Sequence, residues 1–194
     1  MTRTWVARFG RLLTPATALA YYGYSERGLN PIWIATTRRW RSAVVEGITY
    51  RFVTLSPAKS FGYASPPMME DTIVMAEREK AIADGLDHPE NCGGVIEASK
   101  GLWYGCDEID LKQLIANSRR LGNRNAFKRL GFWLERLSSV NERTLEQLVS
   151  ADDRQGDRNY PLPDPTGPAQ GVRNARWRLV VHIPEQQLLG WGKR

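Results

Sequence analysis

The sequence predicts an α+β fold: a small mixed or antiparallel sheet packed against a helical middle section, with a C-terminal strand returning to the sheet. Three observations carry this. Residues 32–55 hold two β-rich runs, "IWIATT" and "SAVVEGITYRFVTL". From Ala76 the apolar spacing changes from alternation to a helical period. Near the end, "ARWRLVVHI" restores a β-rich run.

Each element has a local cause. Thr14–Pro15 offers a capping hydroxyl before a proline in the first helical position, and "ATALAYY" follows with strong helix formers until Gly23. Asn30–Pro31 marks a turn before the short β-rich run "IWIATT". Glu46–Gly47 divides the next run into two strands, the second with Ile48, Tyr50, Phe52 and Val53 in imperfect alternation. Pro66–Pro67 interrupts the chain, and "DTIVMA" supplies a further strand. In "AEREKAIADGLDHPENCGG", Ala81, Ile82 and Leu86 share one helical face, Pro89 ends the helix, and Gly93–Gly94 release the chain into "VIEASKGLW". Asp110 and Gln113 have capping-box spacing, and Asn123 and Asn141 sit where the next two helices begin. Beyond residue 151 the composition shifts to Asp, Gly and Pro. No internal repeat is present, and we read residues 1–194 as one domain, with 151–194 as a connection and strand within it.

Composition narrows the function classes. With 194 residues, 42% hydrophobic content and seven Trp, the chain has enough apolar material for a core. No apolar run reaches the length of a membrane span, and no export signal is read at the start. Two cysteines, Cys92 and Cys106, are too few for a disulfide framework, so reduced thiols in a cytoplasm are expected. The net charge of +6 is uneven. Residues 1–60 carry +7, 61–111 carry −8 and 112–150 carry +5. Such a chain can fold into a two-sided molecule whose positive face attracts polyanions such as DNA or RNA.

Catalytic and metal chemistry find little support. His88 and Cys92 lack the further nitrogen or sulfur ligands that a zinc site requires. Their turn residues, Pro89 and Gly93–Gly94, account for them as a helix end. Asp107, Glu108 and Asp110 are explained by the head of a helix, where negative charge complements the dipole. No phosphate-binding glycine loop occurs. We therefore expect no enzyme, no metal and no cofactor. A nuclease or cysteine hydrolase would have to be built from His88, Cys92 and the acidic group.

The basic residues are the better candidates. Arg119, Arg120, Arg124, Lys128 and Arg129 span one helix end, a turn and the next helix, while Leu121, Phe127, Leu130 and Trp133 between them read as core. Arg38, Arg39 and Arg41 bracket Trp40 after the first strand. Both groups are expected to converge on one nucleic-acid-binding face.

Five segments in register also carry a resemblance. "LTPATALAYYGYSERGLNPIWIATTRR", "ITYRFVTLSPAKSFGY", "VMAEREKAIADGLDHPENCGGVIEASKGL", "FKRLGFWLERL" and "YPLPDP…RNARWRLVVHIPEQQLL" follow one another between about Leu13 and Leu189. Their order resembles the AbiEi antitoxins of bacterial type IV toxin–antitoxin (abortive infection, phage defence) systems. The helix beginning near Glu77 departs from the family pattern, with "EREK" in place of "DPEK". Typical members have an N-terminal winged helix-turn-helix that represses their operon. This sequence opens where that domain would have ended, so promoter binding through a winged helix is not implied. The resemblance implies instead the C-terminal antitoxin domain. Its functional partner would be a nucleotidyltransferase-type toxin, opposed without a stable complex. A transcriptional-regulator or nucleic-acid-binding module without antitoxin activity is the alternative.

Overall fold

The computed structural model describes residues 12–26, 31–36, 39–65, 74–137, 140–151 and 160–190. Asn30, Arg38 and Pro66–Pro67 lie outside the described residues. The first strand β1 (Leu12–Leu13) leads into α1 (Pro15–Tyr21), then β2 (Ile32–Thr36), β3 (Ala43–Val45), β4 (Ile48–Thr54), β5 (Tyr63–Ala64) and β6 (Val74–Ala76). Five helices follow: α2 (Arg78–Asp87), α3 (Val95–Tyr104), α4 (Leu111–Arg120), α5 (Arg124–Arg136) and α6 (Glu142–Ala151). The chain then forms β7 (Val172–Asn174), β8 (Leu179–Val181) and the short α7 (Glu185–Leu189). The architecture is α+β.

The front sheet has six strands in the order β3-β4-β2-β1-β6-β5. It is mixed. β2 runs parallel to β4 and β1 parallel to β6, while the β1–β2, β3–β4 and β5–β6 pairs are antiparallel. Glu46 and Gly47 both take positive φ, 51° and 78°, the combination that a two-residue hairpin turn of matching twist requires.

The predicted caps divide in an informative way. Asn123 and Asn141 accept backbone N–H bonds from Asn125 and Thr144. Asp110 accepts from Lys112 and Gln113, but Gln113 does not close a capping box. Its amide donates to Asn117, and the N–H of Asp110 is taken by Glu79 of α2. The box is completed by a different helix, which ties the head of α4 to the head of α2. Thr14 occupies the N-cap position of α1 without a side-chain cap, its backbone bonding Trp33 instead.

α2 lies at the centre of the fold, packed against α1, α3, α4 and α5. Ala81, Ile82 and Leu86 are buried, as the helical spacing predicts, but so is every residue from Lys80 to Asp87. The helix ends at Asp87, with His88 as its C-cap and Pro89 opening a short 3-10 turn.

The C-terminal strand is placed differently from expectation. β8 pairs antiparallel with β7 in a separate two-stranded sheet and does not return to the front sheet. The physical reason is local. β7 satisfies one side of β8, and the N–H of Val180 on β8 bonds the carbonyl of Pro161. Meanwhile Trp177, in the turn, is buried against Gly131 of α5.

Asp164 fastens this C-terminal segment to the helices. Its carboxylate accepts the N–H of Val95 at the start of α3, together with the N–H and hydroxyl of Thr166. Burial pushes this carboxyl up, but the Thr166 and Val95 hydrogen bonds, with His182 nearby, outweigh burial and hold it below the usual value. A depressed folded-state pKa means stability that is present above the unfolded pKa and lost as pH falls through the folded one. Asp164→Asn should therefore be less stable than wild type near neutrality. The gap should narrow below about pH 4. Urea unfolding at stepped pH checks this, and a constant gap down to the acid limb contradicts it.

Candidate nucleic-acid interface

α4 buries Leu114, Asn117 and Ser118 and turns its last two residues, Arg119 and Arg120, to solvent. Cations are favoured at a helix C-terminus, where unpaired carbonyls gather. Leu121 and Gly122 then reverse the chain, Asn123 caps α5, and Arg124 stands exposed in its first turn. The Arg119 guanidinium lies 5.7 Å from the centre of the Phe127 ring and that of Arg120 lies 4.0 Å from Phe61. Among the described residues neither Arg119 nor Arg120 is ion-paired with a carboxylate.

Lys59 joins this region from the loop before β5. Its ammonium lies 2.6 Å from Asp87 Oδ2, and the Asn123 side-chain amide donates to the other oxygen of the same carboxylate. His88 Nε2 is 3.5 Å from Asp87 Oδ2. Asp87 at the end of α2 thus gathers the loop, the α4–α5 turn and the imidazole. Nothing in the sequence signals this, because residues 59, 87 and 123 are joined only through tertiary packing.

Two of the five predicted cations are not at the surface. Lys128 is fully buried and Arg129 is 4% exposed. The i, i+4 spacing pairs Arg124 with Lys128, but Arg124 lies in the first turn of α5 and Lys128 one turn deeper. There the helix is covered on all sides, from Ala126 to Leu134. Arg129 joins backbone to backbone. Its Nη1 donates to the carbonyls of Leu86 and Asp87, while Nε and Nη2 donate to Leu162. It caps the end of α2 and holds the C-terminal segment against it. Leu121, Phe127, Leu130 and Trp133 are buried, as the spacing predicts.

The second basic group does not join the first. Arg39 and Arg41 are exposed, and Trp40 between them lies 6.3 Å from Phe52 of β4. Arg120 rests on Phe61, just ahead of β5. β4 and β5 are four places apart in the strand order, which at about 4.8 Å per strand separates the groups by about 20 Å. In place of the expected single face there are two basic regions toward opposite edges of the sheet.

The acidic residues form a region of their own. A cleft of about 690 Å³ is lined by Tyr21, Tyr22, Ala64, Glu77, Arg78, Glu79 and Glu108. Arg78 Nε lies 3.0 Å from Glu108, and Arg78 also sits over Tyr22. The Tyr24 hydroxyl donates to Glu108, and its pKa is pushed up to about 12, first by burial and then by that carboxylate. With three carboxylates and one guanidinium, this cleft repels polyanions. Asp110 acts as the head of α4. His88 bonds Glu90 at 3.0 Å, and Cys92 is buried beside Gly85. Among the described residues no three His, Cys, Asp or Glu side chains come together as metal ligands.

Comparison with known proteins bears on the fold. No family model matches the chain, and no curated protein matches it. The crystal structure of the RV2827C protein from Mycobacterium tuberculosis is similar over 99% of this chain and 70% of its own, with a TM-score of 0.63 and 18% sequence identity. At that identity the likeness is one of fold.

Proposed function

We propose that this protein is an antitoxin-like module that counteracts a nucleotidyltransferase-type toxin without a stable complex, contacting nucleic acid through the α4–α5 turn. One observation carries the contact surface: Arg119 and Arg120 are exposed, set on aromatic rings and unpaired with carboxylates among the described residues. Guanidinium groups in that state gain most from phosphate oxygens, because no internal ion pair has to be broken first. The antitoxin reading is supported by the five segments that resemble the AbiEi family in order. The surface centres on Arg119, Arg120 and Arg124. Arg39 and Arg41 would form a separate contact.

Co-expression with a nucleotidyltransferase-type toxin tests this. Wild type should restore growth, and Arg119→Ala with Arg120→Ala should reduce the rescue. Failure of wild type to rescue removes the antitoxin reading. Binding of nucleic acid without rescue would favour the alternative, a regulatory nucleic-acid-binding module. That alternative is supported by the same exposed guanidiniums.

A further inference from the structure

Residues 59–63, "KSFGY", wrap around one buried side chain. Lys80 is fully buried, and its ammonium donates to both oxygens of Asp84. The ammonium lies 4.6 Å from the centre of the Phe61 ring and 5.5 Å from that of Tyr63. Gly62 sits between them at φ +66, and a Cβ there would meet the Lys80 stem at 3.0 Å, so the loop can pass this closely only with glycine. Its carbonyl accepts the N–H of Glu77, which secures the loop to the start of α2.

Phe61 therefore has two cations on one ring, the buried Lys80 and the exposed Arg120 at 4.0 Å. The ring is 8% exposed, too little to stack on a nucleobase. Its accessible effect is on Arg120. A guanidinium resting on a ring keeps its N–H edges free for hydrogen bonds, which an ammonium cannot reproduce.

We propose that Phe61 is a positioning residue of the nucleic-acid surface: anchored by Lys80, its ring holds the Arg120 guanidinium with its N–H edge available to a backbone phosphate. This rests on the reading of the α4–α5 turn as the contact surface and adds the kind of contact made there. The ligand is the phosphodiester backbone, read without regard to base sequence.

The experiment is fluorescence anisotropy with a labelled 20-base-pair DNA duplex across a range of NaCl concentrations, using the full chain. Wild type should bind with a steep salt dependence, and Arg120→Ala should lower the salt slope by about one. Phe61→Leu should weaken binding about two- to fivefold and lower the slope similarly, while Phe61→Tyr should bind as wild type. The Phe61→Leu, Arg120→Ala double variant should bind no more weakly than Arg120→Ala alone. A merely structural role for Phe61 predicts additive losses, which would overturn the proposal, as would wild-type binding by Phe61→Leu. Arg120→Lys gives an answer even if Phe61→Leu fails to fold. It keeps the charge and loses the planar fork, so affinity should fall about two- to fivefold as for Phe61→Leu, and unchanged binding overturns the proposal. If wild type shows no salt-dependent binding, the contact surface itself fails and this inference with it. If wild type binds and only the Phe61 and Arg120→Lys arms are flat, the surface stands and the positioning role falls.

Discussion

Lys80→Ala should destabilise the protein by about 3–5 kcal/mol, whereas Lys80→Met combined with Asp84→Leu should fold with a stability near that of wild type or above it. The cause lies in the position of α2. All of its residues from Lys80 onward are buried, so the ammonium and the carboxylate four residues on are both removed from water. Burial pushes the Lys80 ammonium down and the Asp84 carboxyl up, and each counters the other's desolvation. Removing one partner strands the other. Removing both replaces two desolvated charges with apolar volume, in a site already lined by the rings of Phe61 and Tyr63. The Tyr63 hydroxyl is buried in the same site without a hydrogen-bond partner, close enough to Asp84 to feel its charge. Chemical denaturation of the single and double variants decides it. A double variant that loses as much as the single losses summed would show that the charges act independently, which contradicts a mutually compensating pair.

The elements that sequence reading recovers are those with local causes. The Glu46–Gly47 hairpin, the stop at Pro89 and the capping residues Asn123 and Asn141 depend on backbone conformations or hydrogen bonds spanning a few residues. What sequence reading misses depends on which helix is central. "EREKAIAD" presents alternating charges and a narrow apolar face, the pattern of a surface helix, yet it is surrounded by four others. Lys128 and Arg129 mislead for the same reason, since helical spacing fixes relative direction on a helix but not whether a second layer covers it. Arg129 offsets its burial by capping α2 and binding Leu162, contacts more than thirty residues away in sequence. The late strand is legible as a strand but not its partner, because β7 is only three residues long and lacks alternation. Of the candidate surface, Arg119, Arg120 and Arg124 are visible from charge alone. Lys59 and Phe61 are not, since nothing in residues 59–61 specifies an approach to residue 120.

Gly131→Ala should lower stability by about 3 kcal/mol or more, which for a chain of this size lowers the melting temperature by roughly 6–12 °C. In most helix interiors this substitution is favourable by propensity, by up to about 1 kcal/mol. Here packing reverses the sign. A Cβ at residue 131 would lie 2.0 to 2.4 Å from three atoms of the Trp177 six-membered ring, which is far inside van der Waals contact. Trp177 has little freedom to yield. It is 2% exposed, its indole N–H donates to Glu135 on the same helix as Gly131, and its backbone N–H is held by Asn174. Arg176 beside it is tied to Glu135 and Glu142. The added methyl must either bend α5 or expel the indole, and expulsion exposes the underside of the β7–β8 hairpin. Limited proteolysis distinguishes these outcomes. Expulsion should make residues 170–183 newly cleavable while α2 and α3 stay protected. A bent α5 should instead loosen the contacts of Arg129 with Leu86 and Asp87, exposing the centre of the fold. A Gly131→Ala variant that melts at or above the wild-type temperature would show that Trp177 does not rest on this glycine.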